Sequence, residues 1–257
     1  MDPAIRVSDL SVALDGRSII NGLNVDVPAN AVTAIVGPNG CGKSTLLRSM
    51  CGILPAATGT ITAGGTDIST LSRKQISQRV SFMAQSAIAP EGITVRELVA
   101  RGRFPYQSWL NQWSREDEAA VDTAIRRANL SDITDRKVHH LSGGQRQRAW
   151  LGLVLAQDTP TVLLDEPTTF LDIGHQHALL RLVGDLTNDG RTVITVLHDL
   201  QQAVHYADFL VIMNRGEIVA TGSPKETITT DLISEVFEMD AEVTTAGPAE
   251  QIVVLPR

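Results

Sequence analysis

Apolar and polar residues follow two different patterns near the start of the chain, and both patterns predict strands. Residues 6–14 (RVSDLSVAL) and 23–29 (LNVDVPA) alternate apolar with polar side chains, which is typical of strands with one exposed face. Turn-forming residues in DGRS and NGLN separate these strands. Residues 31–37 (AVTAIVG) are instead short, apolar and β-branched up to a glycine, which predicts a parallel strand buried on both faces.

Helical periodicity follows this buried strand. Residues 44–53 (STLLRSMCGI) repeat apolar side chains at helical spacing, and residues 59–70 return to short strands and a turn. Residues 96–155 are predicted to be mainly helical because apolar side chains recur there at i, i+3 and i+4. Ser114 is predicted to be a helix N-cap, since acidic residues fill the turn that follows it.

Three apolar β-rich runs occupy the second half of the chain, at residues 161–167, 191–199 and 209–222. A helical pattern over residues 173–190 connects the first two runs. Strands that alternate with helices predict a parallel core sheet with helical crossovers. From about Asp240 the pattern predicts a small pair of strands.

The composition is that of a globular protein with an acidic balance. Apolar residues make up 43% of the 257 residues, which is enough for a sizeable core. Acidic residues outnumber basic ones by 29 to 22, a net charge of −7, whereas nucleic-acid-binding proteins usually carry the opposite balance. We therefore expect no nucleic-acid partner. No apolar run approaches 18 residues and the amino terminus shows no secretory signal, so neither a membrane span nor secretion is expected.

The two cysteines, Cys41 and Cys51, are expected to be free thiols. If a helix connects them, its rise of about 1.5 Å per residue places them roughly 12–15 Å apart. A disulfide needs Cα atoms within about 7 Å. Free thiols are typical of a reducing cytosol.

The stretch GPNGCGKST fits the pattern G-x-x-x-x-G-K-[ST] between an apolar strand and a helix. Its glycines allow backbone N–H groups to turn toward phosphates, and the helix N-terminus adds the positive end of its dipole. Lys43 is predicted to reach the β- and γ-phosphates of a nucleotide, and Ser44 to bind Mg²⁺. The predicted nucleotide-binding residues are Gly37, Pro38, Asn39, Gly40, Cys41, Gly42, Lys43, Ser44 and Thr45. The pattern by itself does not distinguish a kinase, a GTPase or a motor.

Two carboxylates, Asp165 and Glu166, end the apolar run TVLLDEP. In open α/β sheets ligands bind at the carboxyl edge of the strands, the edge at which the glycine-rich loop also lies. Asp165 is predicted to hold Mg²⁺, directly or through water, and Glu166 to polarise an attacking water as general base. The alternative is a solvated acidic strand end without chemistry.

A second phosphate-binding surface is predicted at LSGGQ, residues 141–145, which precedes a helical pattern. Its serine hydroxyl and glycine N–H groups lie at a helix N-terminus, where anions bind. One bound nucleotide does not account for two such surfaces in one chain. Two copies that face each other head to tail, each completing the other's site, would account for both.

GPNGCGKST, LSGGQRQR, LLDEPTTFLD and VLHDL, in this order and at these separations, together resemble the ATPase subunit of ATP-binding-cassette transporters over nearly the whole chain. The resemblance implies that the chain binds ATP and Mg²⁺ and couples ATP hydrolysis to transmembrane transport. It implies the α/β fold of a P-loop NTPase of this type, with a mixed sheet core, a helical subdomain and an N-terminal antiparallel β region. The chain would be one ATPase domain, with its core at 1–85 and 156–239, its helical subdomain at 86–155 and a C-terminal extension at 240–257.

The resemblance also implies roles for individual residues. Gln85 is similar to the glutamine between core and helical subdomain that contacts Mg²⁺ or the attacking water. His198 is similar to the switch histidine that hydrogen-bonds the γ-phosphate, and Asp172 to the loop aspartate at the dimer seam. The other five histidines are expected to be structural or surface residues. The residues implied to bind ATP across the dimer are Ser142, Gly143, Gly144 and Gln145. The implied catalytic residues are Lys43, Gln85, Glu166 and His198, and the implied Mg²⁺ ligands are Ser44, Gln85 and Asp165.

One position departs from the family's usual pattern, and a second position, Cys41, is unusual within the phosphate loop. The family places an aromatic residue before the phosphate loop to stack on adenine, but the matching residue here is Leu14, and no aromatic residue precedes Phe82. Because stacking is worth roughly 1–3 kcal/mol, we expect weaker ATP affinity or looser base selectivity, with Arg17 a cation–π substitute. For Cys41, either the helix N-terminus lowers the thiol pKa and makes it oxidation-sensitive, or it is a small residue that fits the loop.

Because the chain has one core and no membrane-spanning run, the resemblance implies two permease subunits in the membrane. This chain would then be peripheral, on the cytoplasmic face of the cell (inner) membrane. The segment RGRFPYQSWLNQWS lies where the permease is expected, and its aromatics either form a docking surface or pack in the core. Those aromatics are Phe104, Tyr106, Trp109 and Trp113.

The same segment, with EPTTFLDIGHQ and LHDL, resembles the importer branch for iron–siderophore complexes, haem and cobalamin. Import of an iron–siderophore complex, delivered by a substrate-binding protein, is the leading hypothesis within that branch. Import of cobalamin or haem is the first alternative.

A soluble cassette ATPase would need basic surfaces or a second cassette, and neither is visible. A small-molecule kinase leaves LSGGQ without a role. An inactive subunit is disfavoured because Lys43, Asp165, Glu166 and His198 are all present.

Overall fold

The structure is a computed structural model that describes residues 2–108, 113–246 and 251–256. Its strands, in chain order, are β1 (Ile5–Leu14), β2 (Arg17–Val27), β3 (Val32–Val36), β4 (Thr58–Ala63), β5 (Thr66–Asp67), β6 (Val80–Met83), β7 (Thr161–Asp165), β8 (Thr192–Val196), β9 (Phe209–Asn214), β10 (Glu217–Gly222), β11 (Ala241–Ala246) and β12 (Gln251–Pro256).

The α-helices connect and cover these strands. In chain order they are α1 (Lys43–Met50), α2 (Arg73–Ser77), α3 (Val95–Ala100), α4 (Arg115–Arg127), α5 (Gly143–Gln157), α6 (Ile173–Asn188), α7 (Leu200–Tyr206), α8 (Pro224–Thr227) and α9 (Thr230–Phe237). Ser114 caps α4 as predicted, since its hydroxyl accepts a hydrogen bond from the Asp117 N–H at 3.1 Å.

The central sheet has six strands in the order β10-β9-β3-β8-β7-β6, and only β10 runs antiparallel to its neighbour. Side chains on each inner strand alternate between two hydrophobic clusters: Val32 and Ala34 of β3 face one cluster and Ile35 faces the other. Both faces of the sheet are therefore buried, as the continuous apolar runs predict.

The two faces of the central sheet are covered differently. On one face lie α1 and an antiparallel sheet of order β2-β1-β4-β5, and on the other lie α3 to α7 and α9. The β1–β2 hairpin turns at Asp15 and Gly16, whose φ angles of 48° and 75° suit a two-residue turn.

The architecture confirms the predicted fold class, a mixed sheet core with helices and an N-terminal antiparallel β region. The run 209–222 forms two strands rather than one, because Arg215 and Gly216 turn the chain with φ angles of 50° and 83°. The helical stretch after α3 gives way to a 3-10 segment over Arg101–Tyr106, which contains Pro105. The pair β11–β12 forms where a strand pair was predicted.

Candidate functional site

Four parallel strands of the central sheet end at one edge, and each delivers a predicted site residue there. The phosphate loop, residues 37–45, follows β3. Asp165 is the last residue of β7, and Glu166 follows it directly. Gln85 lies two residues beyond β6, and His198 lies two residues beyond β8. Since β3, β8, β7 and β6 are consecutive neighbours in the sheet, these side chains are brought together.

Glycine is required in the phosphate loop by close backbone contact. A Cβ atom on Gly37 would lie 2.0 Å from the Met213 carbonyl oxygen of β9, closer than any side chain allows. Gly40 and Gly42 take φ angles of 76° and 105°, which L side chains rarely adopt. The loop curls tightly against β9 and enters α1 at Lys43.

Lys43 points back over the phosphate loop from the first turn of α1. Its ammonium Nζ donates hydrogen bonds to the carbonyl oxygens of Gly37 at 2.8 Å and Pro38 at 2.9 Å. The side chain is buried, so its positive charge is focused on the loop rather than dispersed in solvent. This position suits an ammonium group that neutralises phosphate.

Asp165 is a buried carboxylate with capacity for a cation. Its Oδ1 accepts a hydrogen bond from the Ser44 hydroxyl at 2.8 Å, while its Oδ2 has no hydrogen-bond partner. Arg48 lies 3.8 Å from Oδ2. Burial raises the pKa of Asp165 although Ser44 and Arg48 act in the opposite direction. A hydroxyl beside a carboxylate oxygen that accepts no hydrogen bond is a donor set that suits a hard divalent cation.

Glu166 is held between Gln85 and His198. The Gln85 amide donates to Glu166 Oε2, and His198 Nε2 lies 2.5 Å from Glu166 Oε1. Glu166 is buried and has a φ of 53°, a left-handed conformation that costs a non-glycine residue of order 1–3 kcal/mol. The structure thus joins the predicted base, the predicted switch histidine and the predicted loop glutamine.

Sequence reasoning missed the glutamines that support the loop after Glu166. The Gln147 amide, on α5, donates to the Pro167 carbonyl at 3.0 Å, and the Gln176 amide, on α6, donates to the Leu171 carbonyl at 3.2 Å. Gln202 on α7 donates to Gln176 Oε1 at 2.7 Å. The only available signal was that each glutamine lies within the first two turns of its helix, and that signal is too general to find them.

The LSGGQ segment forms the N-terminus of α5 rather than part of the strand edge. Ser142 caps the helix, and its hydroxyl accepts from the Gln145 N–H at 3.2 Å. Gly143 is exposed, and a Cβ atom there would lie 3.5 Å from Cβ of Phe170. Within the described residues, no hydrogen bond or ion pair joins this segment to the phosphate loop of the same chain.

Asp172 caps α6 and is exposed. Its carboxylate accepts from the His175 N–H at 2.9 Å and pairs with His175 Nδ1 at 2.7 Å, and these bonds lower the pKa of Asp172. His175 therefore has a structural partner, as expected of the histidines outside the site. Residues 2–108, 113–246 and 251–256 contain no group of three His, Cys, Asp or Glu side chains arranged around a metal.

The two interpretations of Cys41 differ in the environment that they require for its thiol. The side chain is buried, and burial raises the pKa of its thiol despite the opposing charge of Lys43. This burial favours the interpretation of Cys41 as a small residue that fits the loop over that of an oxidation-sensitive thiol. Burial also raises the pKa of Cys51 to about 11, and both cysteines are free, as predicted.

The aromatic segment before α4 is partly exposed. Phe104 is 58% exposed and Trp113 is 44% exposed, whereas Tyr106 is half-buried with the Arg103 guanidinium 4.0 Å from its ring centroid. Trp109 lies outside the described residues. Among the helices that the structure describes, none has both the length and the apolar character needed to cross a bilayer.

Comparison with known proteins identifies relatives along almost the entire chain. The family described as "ABC transporter" matches residues 20–169. The ferric enterobactin transport ATP-binding protein FepC of Escherichia coli K12 is 45% identical over 91% of this chain and 86% of its own length. The petrobactin import ATP-binding protein FpuD of Bacillus anthracis is 43% identical over 95% of this chain and 90% of its own.

A further relative and a solved structure are also similar to this chain. The hemin import ATP-binding protein HmuV of Streptomyces coelicolor is 40% identical over 96% of this chain and 88% of its own length. A solved chain of an ABC transporter in an inward-facing conformation superposes with a TM-score of 0.85 at 26% identity. That superposition covers 100% of this chain and 98% of the solved one.

Proposed function

This chain belongs to the ABC transporter family and is an ATPase that binds ATP, and we propose that it powers the import of an iron–siderophore complex. The observation that carries the ATPase chemistry is the position of Glu166, buried between Gln85 and His198 and adjacent in sequence to Asp165. Relatives named for ferric enterobactin and petrobactin support the substrate class. The relative named for hemin import, at 40% identity, keeps haem as the main alternative.

We propose that the residues at the strand edge divide the work of hydrolysis. The phosphate loop binds the phosphates of ATP, with Lys43 transferring its hydrogen bonds from the loop carbonyls to the β- and γ-phosphates. Glu166 then accepts the proton of the attacking water. His198 donates a hydrogen bond to the γ-phosphate, and Gln85 orients the water.

Mg²⁺ fits this site, and Ser44, Asp165 and Gln85 are the residues that would hold it. The Oδ2 of Asp165 supports this assignment, because this buried oxygen accepts no hydrogen bond and its ion pair with Arg48 is long, at 3.8 Å. The bound ion would supply charge neutralisation at the β- and γ-phosphates. Ser44 and Asp165 are already joined by their hydrogen bond, so these two ligands lie together.

The assembly that we propose contains two copies of this chain and two integral-membrane permease subunits. Ser142, Gly143, Gly144 and Gln145 of one copy complete the ATP site of the other, with Asp172 at the seam. The exposure of Ser142 and Gly143 at a helix N-terminus supports this role. The chain is then peripheral at the cytoplasmic face of the inner membrane, and a substrate-binding protein supplies the complex without touching this chain.

Uptake of radio-iron tests this proposal. Cells that lack the gene are compared with the same cells complemented with wild type or with Glu166→Gln. Each strain is supplied with iron as ferric catecholate and ferric hydroxamate siderophore complexes. We expect the deletion to abolish uptake of at least one complex and wild type to restore it. Glu166→Gln should not restore uptake, because general-base catalysis contributes about 10²–10⁴-fold to rate.

The controls distinguish an error in the substrate assignment from an error in the role of Glu166. Uptake of haem and cobalamin is measured in the same strains, and the amount of each variant is measured in membrane fractions. Unchanged siderophore uptake with lost haem uptake would overturn the substrate assignment and leave the ATPase intact. Restoration by Glu166→Gln would overturn the role of Glu166.

A further inference from the structure

The carboxyl-terminal strand pair β11–β12 packs on α7, the helix that begins two residues after His198. Ile252 of β12 is 6% exposed and belongs to the same hydrophobic cluster as Ala203 and Val204 of α7. The strand pair is therefore joined to the core at the helix nearest the switch histidine. β12 itself is distant in sequence from every motif of the site.

Gln201 fixes the first turn of α7 to β12 by two hydrogen bonds. Its amide Nε2 donates to the Ile252 carbonyl at 2.8 Å, and its Oε1 accepts from the Val254 N–H at 3.1 Å. The side-chain amide thus uses both its donor and its acceptor on the strand backbone, as a neighbouring strand would. Two such bonds define both the position and the orientation of the helix start.

The same turn is connected to the site through the helix cap. The Asp199 carboxylate accepts from the N–H groups of Gln201 at 2.8 Å and Gln202 at 3.2 Å. Asp199 directly follows His198, whose Nε2 lies 2.5 Å from Glu166. A shift of Gln201 would therefore move the cap, and the cap carries the backbone of His198.

We propose that Gln201 is a positioning residue for ATP hydrolysis, which holds His198 in place through Asp199 with β12 as its support. The inference rests on the proposed role of His198. It gives the C-terminal strand pair a function in supporting the switch histidine. It also accounts for the hydrogen bonds that the Ile252 carbonyl and the Val254 N–H of β12 make with a side chain of α7.

The test uses Gln201→Met in the full chain, because methionine keeps the length and packing of glutamine and removes both hydrogen bonds. We expect kcat for ATP hydrolysis to fall roughly three- to tenfold, as loss of two net hydrogen bonds allows. The Kd for ATP should stay the same, since the phosphate loop is untouched. In a His198→Ala background, Gln201→Met should cause no further loss, because the two residues act in one chain of contacts.

Controls and contrary outcomes are defined in the same experiment. Thr245→Ala, at an exposed residue of β11 that makes no bond with Gln201, should leave kcat unchanged. If His198→Ala retains the wild-type rate, the proposed role of His198 fails. If His198→Ala is impaired but Gln201→Met is not, or if Gln201→Met slows both backgrounds by the same factor, the inference about Gln201 is wrong. Should Gln201→Met lack a cooperative unfolding transition, Gln201→Glu, which keeps only the acceptor for Val254, is subjected to the same comparison.

Discussion

Glu166 shows how a single residue can be positioned before substrate arrives. Its positive φ turns the chain sharply at the end of β7, and its two carboxylate oxygens contact different elements, the loop after β6 and the loop after β8. Such strain persists only when surrounding contacts over-determine it. Gln147 and Gln176 supply that support by binding the carbonyls of Pro167 and Leu171.

Leu14 leads to a prediction at the same scale. It is half-buried at the end of β1, where it pairs with Arg17 across the hairpin turn. Leu14→Tyr should tighten ATP binding by about 1–3 kcal/mol, roughly 5- to 150-fold in Kd, because an aromatic ring can stack on adenine. The measurement is ATP and GTP titration by calorimetry.

The matched control for Leu14 is Ala13→Tyr, which adds the same ring one residue away at an exposed position. It should leave the Kd for ATP unchanged. Equal affinities and an unchanged ATP-to-GTP ratio in wild type and Leu14→Tyr would show that adenine does not bind at this hairpin.

At the scale of elements, a buried ion pair connects the segment before α4 to two helices. The Arg103 guanidinium donates to Asp117 of α4 at 2.8 Å and to the Ala156 carbonyl of α5 at 2.9 Å. Burial by itself would raise the pKa of Asp117, but the hydrogen bonds from Arg103 and Ser114 outweigh it and leave that pKa lowered. The exposed Phe104 and Trp113 lie between Arg103 and Asp117 in the sequence.

Asp117→Asn should destabilise the fold by about 3 kcal/mol or more, because it leaves the Arg103 charge buried without its partner. Since the folded pKa of Asp117 lies below its unfolded value, its contribution to stability is complete above the unfolded value and is lost as pH falls through the folded one. We therefore expect the free energy of unfolding of Asp117→Asn to depend less on pH below about 4 than that of wild type. Urea unfolding between pH 2 and pH 7 measures both effects.

Asp122→Asn is the control on the same helix. Asp122 pairs with Arg96 at 2.8 Å on an exposed surface, where an ion pair contributes about 0–1 kcal/mol. A loss of stability as large as that of Asp117→Asn would mean that burial does not determine the strength of these pairs.

At the scale of the whole molecule, the loop after Glu166 and the start of α6 present an apolar face beside LSGGQ. Phe170 is 76% exposed and Ile173 is 74% exposed, and Phe170 lies next to Gly143. Large exposed apolar side chains that adjoin a binding segment are typical of an interface. The ATP-bound dimer that we propose would bury this face.

Phe170→Glu should therefore weaken dimer formation without changing the fold. In a Glu166→Gln background with ATP and Mg²⁺, we expect a species of twice the monomer mass by light scattering, and we expect Phe170→Glu to return it to the monomer. The reason is that a carboxylate buried at the seam without a partner costs several kcal/mol.

Phe104→Glu makes the same substitution at an exposed phenylalanine in the segment before α4. It should leave the dimer intact. A dimer that forms equally well with Phe170→Glu would place the seam elsewhere on the molecule.

Sequence alone predicted those parts of the fold and site that depend on local pattern. The apolar runs of β3, β7 and β8 and the glycines of the phosphate loop are local signals, because burial on both faces and positive φ restrict residue choice position by position. Lys43, Ser44, Asp165 and Glu166 follow from the same signals, since each lies at a strand end or helix start. The domain boundaries and the roles of the site residues remain predictions.

Tertiary structure decided what depends on contacts between distant residues. Ser44 meets Asp165 across 121 residues of sequence and Gln85 meets Glu166 across 81, and only the strand order brings them together. The raised pKa of Cys41 arises from burial that no local pattern reveals. The contact of Gln201 with β12 depends on where the chain's last strand packs. Local pattern restricts which residue types are allowed at each position, whereas packing determines which of them touch.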